Sequence, residues 1–155
     1  MLFSRAAEYS VRAMTFLARQ PAGKLTGARE IARAEAIPTP FLWKLLRTLA
    51  RHRLIRSFKG LRGGYELARP AERIRLDDIV AATGSTDYRE ACVLGLPACN
   101  EQHPCPLHAE WIGIRARLVR LLEQKNLAEL AVAGKKRDKK PDRAKRGAKR
   151  DKKVH

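Results

Sequence analysis

Residues 38–67 leave this chain few ways to fold. Pro38-Thr39-Pro40 sets a helix start, with Thr39 as the expected N-cap and Pro40 at the first helical position. Leu42, Leu45, Leu46 and Leu49 follow at i, i+3, i+4 and i+7, a stripe that needs an apolar partner. The opposite face presents Trp43, Lys44, Arg47, Thr48 and Arg51. Leu54 to Phe58 then reads as a strand. Gly60-Leu61-Arg62-Gly63-Gly64 reads as a turn, and Tyr65-Glu66-Leu67 as the returning strand.

The segments before this unit complete a known order. Residues 3–19 predict a first helix, with Ala6, Tyr9, Ala13, Phe16 and Leu17 on one face, ended by Gln20-Pro21-Ala22-Gly23. Thr26 is the expected N-cap of a short second helix that turns Ile31 and Ala32 to the core. A short helix, a tight turn and a helix with a basic outer face make a helix-turn-helix, and the hairpin behind it is a wing. Between residues 38 and 75 stand ten basic residues against Glu66 and Glu72. A charge run is usually a solvated face. Here it coincides with helix, turn, helix and wing, which points to double-stranded DNA. Thr39, Phe41, Trp43, Lys44 and Arg47 are placed for base edges, with Lys44, Arg47 and Arg51 also suited to phosphates. Lys59 and Arg62 lie near the wing tip, where Arg62 suits a narrow minor groove. His52 reads as a surface residue.

Leu76-Asp77-Asp78-Ile79-Val80 opens another helix, stopped by Gly84. Residues 85–106 form a loop holding all three cysteines, Cys92, Cys99 and Cys105, with Pro97, Pro104 and Pro106, and His108 just beyond. Thiolates are soft ligands suited to iron–sulfur clusters and to zinc. Structural zinc sites favour close cysteine pairs, and here only Cys105 and His108 are close. The bland alternative is three reduced, buried thiols. These readings stay open on the loop alone. His103 reads as exposed.

From Leu107 a long helix is expected through residue 134, with Trp111, Ile114, Leu118, Leu121 and Leu122 on one face and a possible interruption at Asn126. The preceding domain has enough apolar faces to fill its own core, so this seam is assigned to a homodimer. The fold class is thus mainly α with a small β-hairpin wing. The expected parts are a winged helix-turn-helix over 1–84, the cysteine loop over 85–106, the dimerisation helix over 107–134 and a disordered basic tail over 135–155.

Of the formal net charge of +17, the tail supplies +9 and the rest +8, so the body itself is basic. The odd cysteine count and the lack of a secretory signal predict a reducing, cytoplasmic setting. No stretch is long enough to span a membrane. An enzyme is not expected: no glycine-rich nucleotide loop follows a strand and opens a helix.

The helix-turn-helix, the wing Lys59-Gly60-Leu61-Arg62-Gly63-Gly64-Tyr65-Glu66-Leu67, the Asp77-Asp78-Ile79 helix and three cysteines before a long helix resemble the Rrf-type bacterial regulators. That family includes the IscR, NsrR and CymR types. The resemblance covers about residues 1–133. It implies a dimeric winged-helix transcription factor, often a repressor, that binds palindromic operators. It also implies sensing of iron–sulfur status, nitric oxide or redox state through a cluster. Cys92, Cys99 and Cys105 map to the family's ligands, with spacings near those of the sensor members. The fourth ligand would be His108, as in IscR-type members, or Glu8 from the partner subunit, as in some NsrR-type members. The resemblance does not separate 2Fe-2S from 4Fe-4S. A cluster-free regulator using zinc or thiol chemistry is the alternative. Trp43 departs from the polar residue often found there, so no operator sequence is carried over.

Overall fold

Four leucines on one helix face drive the centre of the fold. The computed structural model describes residues 3–85, 87–97 and 99–138. Its elements run α1 (Arg5–Ala18), α2 (Ala28–Glu35), α3 (Thr39–Arg51), β1 (Ile55–Phe58), β2 (Gly64–Leu67), α4 (Leu76–Ala82), α5 (His108–Gln124) and α6 (Leu127–Asp138). Leu42, Leu45, Leu46 and Leu49 are all buried, as their spacing predicts, and each contributes about 1.5–3 kcal/mol by leaving water. Leu42, Leu46 and Leu49 meet Ala13, Met14 and Leu17 of α1, Ile31 and Ala32 of α2, and Ile79 of α4.

The α2–α3 turn is tight. Ala36 takes the left-handed conformation (φ 49°, ψ 47°) that ends α2, and the Ile37 N–H returns to the Ala32 carbonyl at 2.9 Å. The antiparallel wing pairs Ile55 with Leu67, Arg56 with Glu66, Ser57 with Tyr65 and Phe58 with Gly64. Gly63 is required: a Cβ there would sit 2.2 Å from the Phe58 carbonyl oxygen.

Two expected caps are corrected. Thr39 is not the N-cap of α3. Pro38 is, and Thr39 and Pro40 lie within the first turn with no side-chain cap bond. Proline's fixed φ sets the entry angle one residue early. Thr26 does not cap α2 either, because its backbone pairs in both directions with Tyr65 at 3.0 and 2.9 Å. Gly27 is the N-cap. The expected α1 face also shifts. Ala7, Ser10, Ala13, Met14, Thr15 and Leu17 are buried, while Ala6, Tyr9 and Phe16 are only half-buried. α1 is covered by α2, α3, α4, β2 and α6, so more than one stripe is enclosed.

The helix expected from Leu107 is divided at Asn126, where an interruption was expected, into α5 and α6. Lys125 is extended (φ −83°, ψ 135°), and Asn126 Oδ1 accepts from the Glu129 N–H, capping α6. The break is stitched to the segment between wing and α4: Leu76 N–H donates to the Lys125 carbonyl at 3.0 Å, and Leu127 N–H to the Ile74 carbonyl at 2.9 Å. Leu127 and Ala131 are buried, and α6 packs on α1 and on the turn Ala71–Arg73. This part of the expected dimer helix therefore serves its own domain. α6 also runs to Asp138, past the boundary expected at residue 134. The remaining tail expectation, residues 139–155, lies outside the described residues.

Candidate nucleic-acid interface and cysteine loop

The outer face of α3 and the wing tip carry the interface candidates. Trp43 (49% exposed), Lys44, Arg47 and Arg51 stand free of the core, and Thr39 is half-buried. Phe41 is different: its ring packs edge-on against Tyr9, centroids 5.6 Å apart, so it is engaged within the domain. Lys59 and Arg62 are exposed. Arg56 bonds its cross-strand partner Glu66 at 2.8 Å, which offsets part of the wing's positive charge. Sequence reasoning passed over Leu61, fully exposed at the tip, and Phe58, also exposed. An apolar residue in a glycine-rich turn was the available signal.

In the cysteine loop, Cys92 is buried, Cys99 and Cys105 are half-buried, and all three thiols are free. His108 is the first residue of α5, buried, and its N–H donates to the Cys105 carbonyl at 2.9 Å. Its Nδ1 lies 3.4 Å from Cys99 Sγ, while its buried Nε2 has no hydrogen-bond partner among the described residues. The Cys92 thiol is pulled below its ordinary value, first by the Leu94 and Leu96 backbone N–H groups and then by Cys105 and Cys99 within hydrogen-bond reach. The four expected ligands are thus linked by neighbouring contacts. Among the described residues, no three His, Cys, Asp or Glu side chains surround a point as a single metal ion requires. Two clefts flank Cys92. One of about 680 Å³ lies against Phe3, Tyr88 and Trp111, and one of about 480 Å³ is shared with Leu96 and Cys99.

Glu8 lies on α1, exposed, paired with Arg12 at 3.5 Å. The expected α5 seam divides. Leu122 is buried and Leu118 packs with it against Ala7, Val80 and Tyr88, whereas Ile114 (56%) and Leu121 (50%) are exposed beside Ile112. His52 is exposed at the C-cap of α3, and His103 is exposed in the loop. No helix among the described residues is long and apolar enough to cross a membrane.

Sequence reasoning also missed the side chains that hold the loop. Trp111, seen only as a seam residue, donates its indole N–H to the Ala91 carbonyl at 2.8 Å. Arg115 donates to the Glu90 carbonyl at 3.0 Å in the same way, and Arg89 forms ion pairs with Asp77 at 2.6 Å and Glu123 at 3.1 Å. Bonds to main-chain carbonyls leave no spacing pattern to read.

Comparison with known proteins places this geometry. The family model described as Rrf2, iron-dependent transcriptional regulator, matches residues 3–133. An HTH-type transcriptional regulator of Mycobacterium tuberculosis is 35% identical over 133 residues, 84% of this chain and 81% of that protein. Among solved structures, CymR, the global cysteine regulator of B. subtilis, superposes with TM-score 0.73 at 24% identity, covering 84% of this chain and 96% of that one. T. potens IscR superposes with TM-score 0.67 at 22% identity, covering 90% and 91%. The winged-helix fold is common to all of them.

Proposed function

The chain belongs to the Rrf2 family of transcriptional regulators, which are DNA-binding proteins rather than enzymes, and from that membership we propose a specific role. The protein is a homodimeric repressor of palindromic operators. It senses iron–sulfur status, nitric oxide or redox state through a cluster held by Cys92, Cys99, Cys105 and His108.

The observation that carries this reading is the His108 imidazole. A buried nitrogen without a partner costs roughly 1–3 kcal/mol, and a ligand taken up there would recover that cost. His108 Nε2 is such a group, and its ring is one contact from Cys99 and two from Cys92. Three thiols and an imidazole form a donor set that iron–sulfur ligation accepts, and a cluster spreads its ligands over more than one iron instead of one point. When bound, the cluster would supply one-electron redox chemistry and reactivity toward nitric oxide.

The protein's own residues do the rest. Cys105 and His108 straddle the start of α5, so their placement bears on that helix. Ile112, Ile114 and Leu121 on its open face would meet a second copy. α3 and the wing would then enter successive grooves, with Trp43, Lys44 and Arg47 at base edges, Arg51 and Lys59 at phosphates and Arg62 in the minor groove. Thr39 has a smaller share, and Phe41 serves mainly to seat α3 on α1. Half-sites one helical turn apart tolerate little displacement, so a small change at α5 alters affinity.

The test is anaerobic reconstitution with iron and sulfide, followed by visible absorption and operator binding. A cluster spectrum that weakens in H108A, with DNA affinity differing between loaded and unloaded protein, supports the reading. Equal affinity in both states removes the sensor role. A second reading has its own observation: Cys99 and Cys105 lie within reach of Cys92, which suits a thiol switch. Oxidant-dependent binding by protein that takes up no iron would favour it.

A further inference from the structure

Residues 88–92 lead from the end of α4 to the first thiol, and side chains from two helices hold them. At the α4 side, the Tyr88 hydroxyl donates to Asp77, and Arg89 donates to Asp77 Oδ2 at 2.6 Å. Arg89 also reaches Glu123 Oε1 of α5 at 3.1 Å. Nearer the thiol, α5 makes the bonds to Glu90 and Ala91. Trp111 Nε1 donates to the Ala91 carbonyl at 2.8 Å, and Arg115 Nη1 donates to the Glu90 carbonyl at 3.0 Å and the Ala91 carbonyl at 3.4 Å.

The Ala91 carbonyl and the Cys92 nitrogen belong to one planar peptide unit. Fixing that oxygen fixes the plane from which the Cys92 side chain departs. The residues that follow are less confined by their own backbone: Val93, Leu94 and Leu96 are exposed, and Gly95 turns the chain at φ 70°. The backbone from which the Cys92 side chain departs is therefore held by α5, while the thiol itself is met by the Leu94 and Leu96 N–H groups. A packing role alone would not require the indole N–H to be aimed at the Ala91 carbonyl.

Resting on the reading of this loop as a ligand set, we propose that Trp111 and Arg115 are positioning residues for Cys92, binding the first thiol of the set to the helix that faces the second copy. Displacement of Cys92 and displacement of α5 are then one motion, which is the coupling a sensor of this design requires.

Trp111→Phe keeps a six-membered aromatic ring and removes the donor together with the rest of the indole. In reduced, metal-free, full-length protein, site-resolved alkylation by iodoacetamide would be followed by peptide mass spectrometry. Cys92 is expected to react roughly 2–10-fold faster than in the wild type, the range that matches loss of one net hydrogen bond. Cys99 and Cys105 should stay near wild-type rates, and Arg117→Gln, an exposed control on α5, should change none of the three. An unchanged Cys92 rate overturns the proposal. So does an equal rise at all three cysteines, which would mean general loosening of the loop. If Trp111→Phe fails to fold, Arg115→Gln carries the same comparison with the same criteria. In reconstituted protein, chelator-driven iron loss should accelerate in Trp111→Phe in step with the alkylation rate. If the wild type takes up no iron, the proposed cluster is refuted, and the alkylation rates still decide the role of Trp111.

Discussion

Replacing Leu127 with Ala separates two uses of residues 107–138 that a seam of leucines cannot distinguish. Leu127 is fully buried in the main core, and its N–H is held by Ile74. The backbone on both sides is fixed, so the site has little room to collapse around a smaller side chain. A cost of about 3–5 kcal/mol is expected, toward the upper part of the range for buried leucine truncations. For a domain of this size that lowers Tm by roughly 10–20 °C. Leu121 is 50% exposed and makes the opposite case. Leu121→Ala should cost an isolated protomer less than about 1 kcal/mol, because half of the side chain is already in water. It should instead weaken association.

Circular dichroism melts over a hundredfold range of protein concentration, with sedimentation velocity, read both effects. A dimer's Tm rises with concentration because association stabilises the folded state. The wild type should show that rise. Leu127→Ala should keep it from a lower starting point, and Leu121→Ala should flatten it. If Leu127→Ala left Tm within a few degrees, or abolished association while Leu121→Ala preserved it, α6 would be an interface helix and the packing argument would fail.

Three further outcomes follow from the geometry. Arg62→Ala at the wing tip should weaken operator binding without abolishing it and lower the salt slope of log K by about one, read from binding titrations at several salt concentrations. Trp43→Ala should alter operator preference while changing stability by less than about 0.5 kcal/mol, whereas Phe41→Ala should cost at least about 0.5–1.5 kcal/mol through the lost edge contact with Tyr9, a contrast that denaturant titration and binding-site selection resolve. Burial, with the hydrogen bond and charge of Asp77, pushes the Tyr88 hydroxyl up to about 12 from its ordinary 10.0. Its folded value is the higher one, so the associated stability is complete below pH 10 and is lost as pH rises through about 12. The difference between wild type and Tyr88→Phe in urea melts across that window isolates it, and parallel curves would refute the assignment.

What the sequence made legible depended on how many neighbours an element has. α3 buries one face, so four leucines at helical spacing sufficed to orient it. α1 is enclosed on several sides, and its buried set includes Ser10 and Thr15, which no apolar pattern selects; Thr15 satisfies its hydroxyl on the Val11 carbonyl of its own helix. The candidate donors in the cysteine loop could be named from the sequence because thiols and imidazole declare their chemistry by identity. Their supports were not, since Trp111 and Arg115 act on carbonyl groups that every residue possesses. The span that holds Leu127 was expected to be part of a dimer helix for a related reason: hydrophobic spacing is the same whether the covering surface belongs to this chain or to a second copy.

The stitching at the α5–α6 break gives these parts a common frame. Ile74 to Leu76 leave the wing and enter α4, and that short stretch is bonded to Lys125 and Leu127 through the main chain and to the Glu123 carbonyl through Arg75 at 2.6 Å. Asp77, the next residue, receives both Tyr88 and Arg89 from the other direction. The start of α4 is therefore held at once by the foot of the wing, the end of α5 and the approach to Cys92. α4 also packs on α1 and α3. A shift of α5 against this frame would reach the DNA-binding face through α4. Asp77→Asn should then reduce the difference in operator affinity between loaded and unloaded protein more than it reduces either affinity alone. A pure loss of affinity with that difference intact would show that α4 only supports the fold.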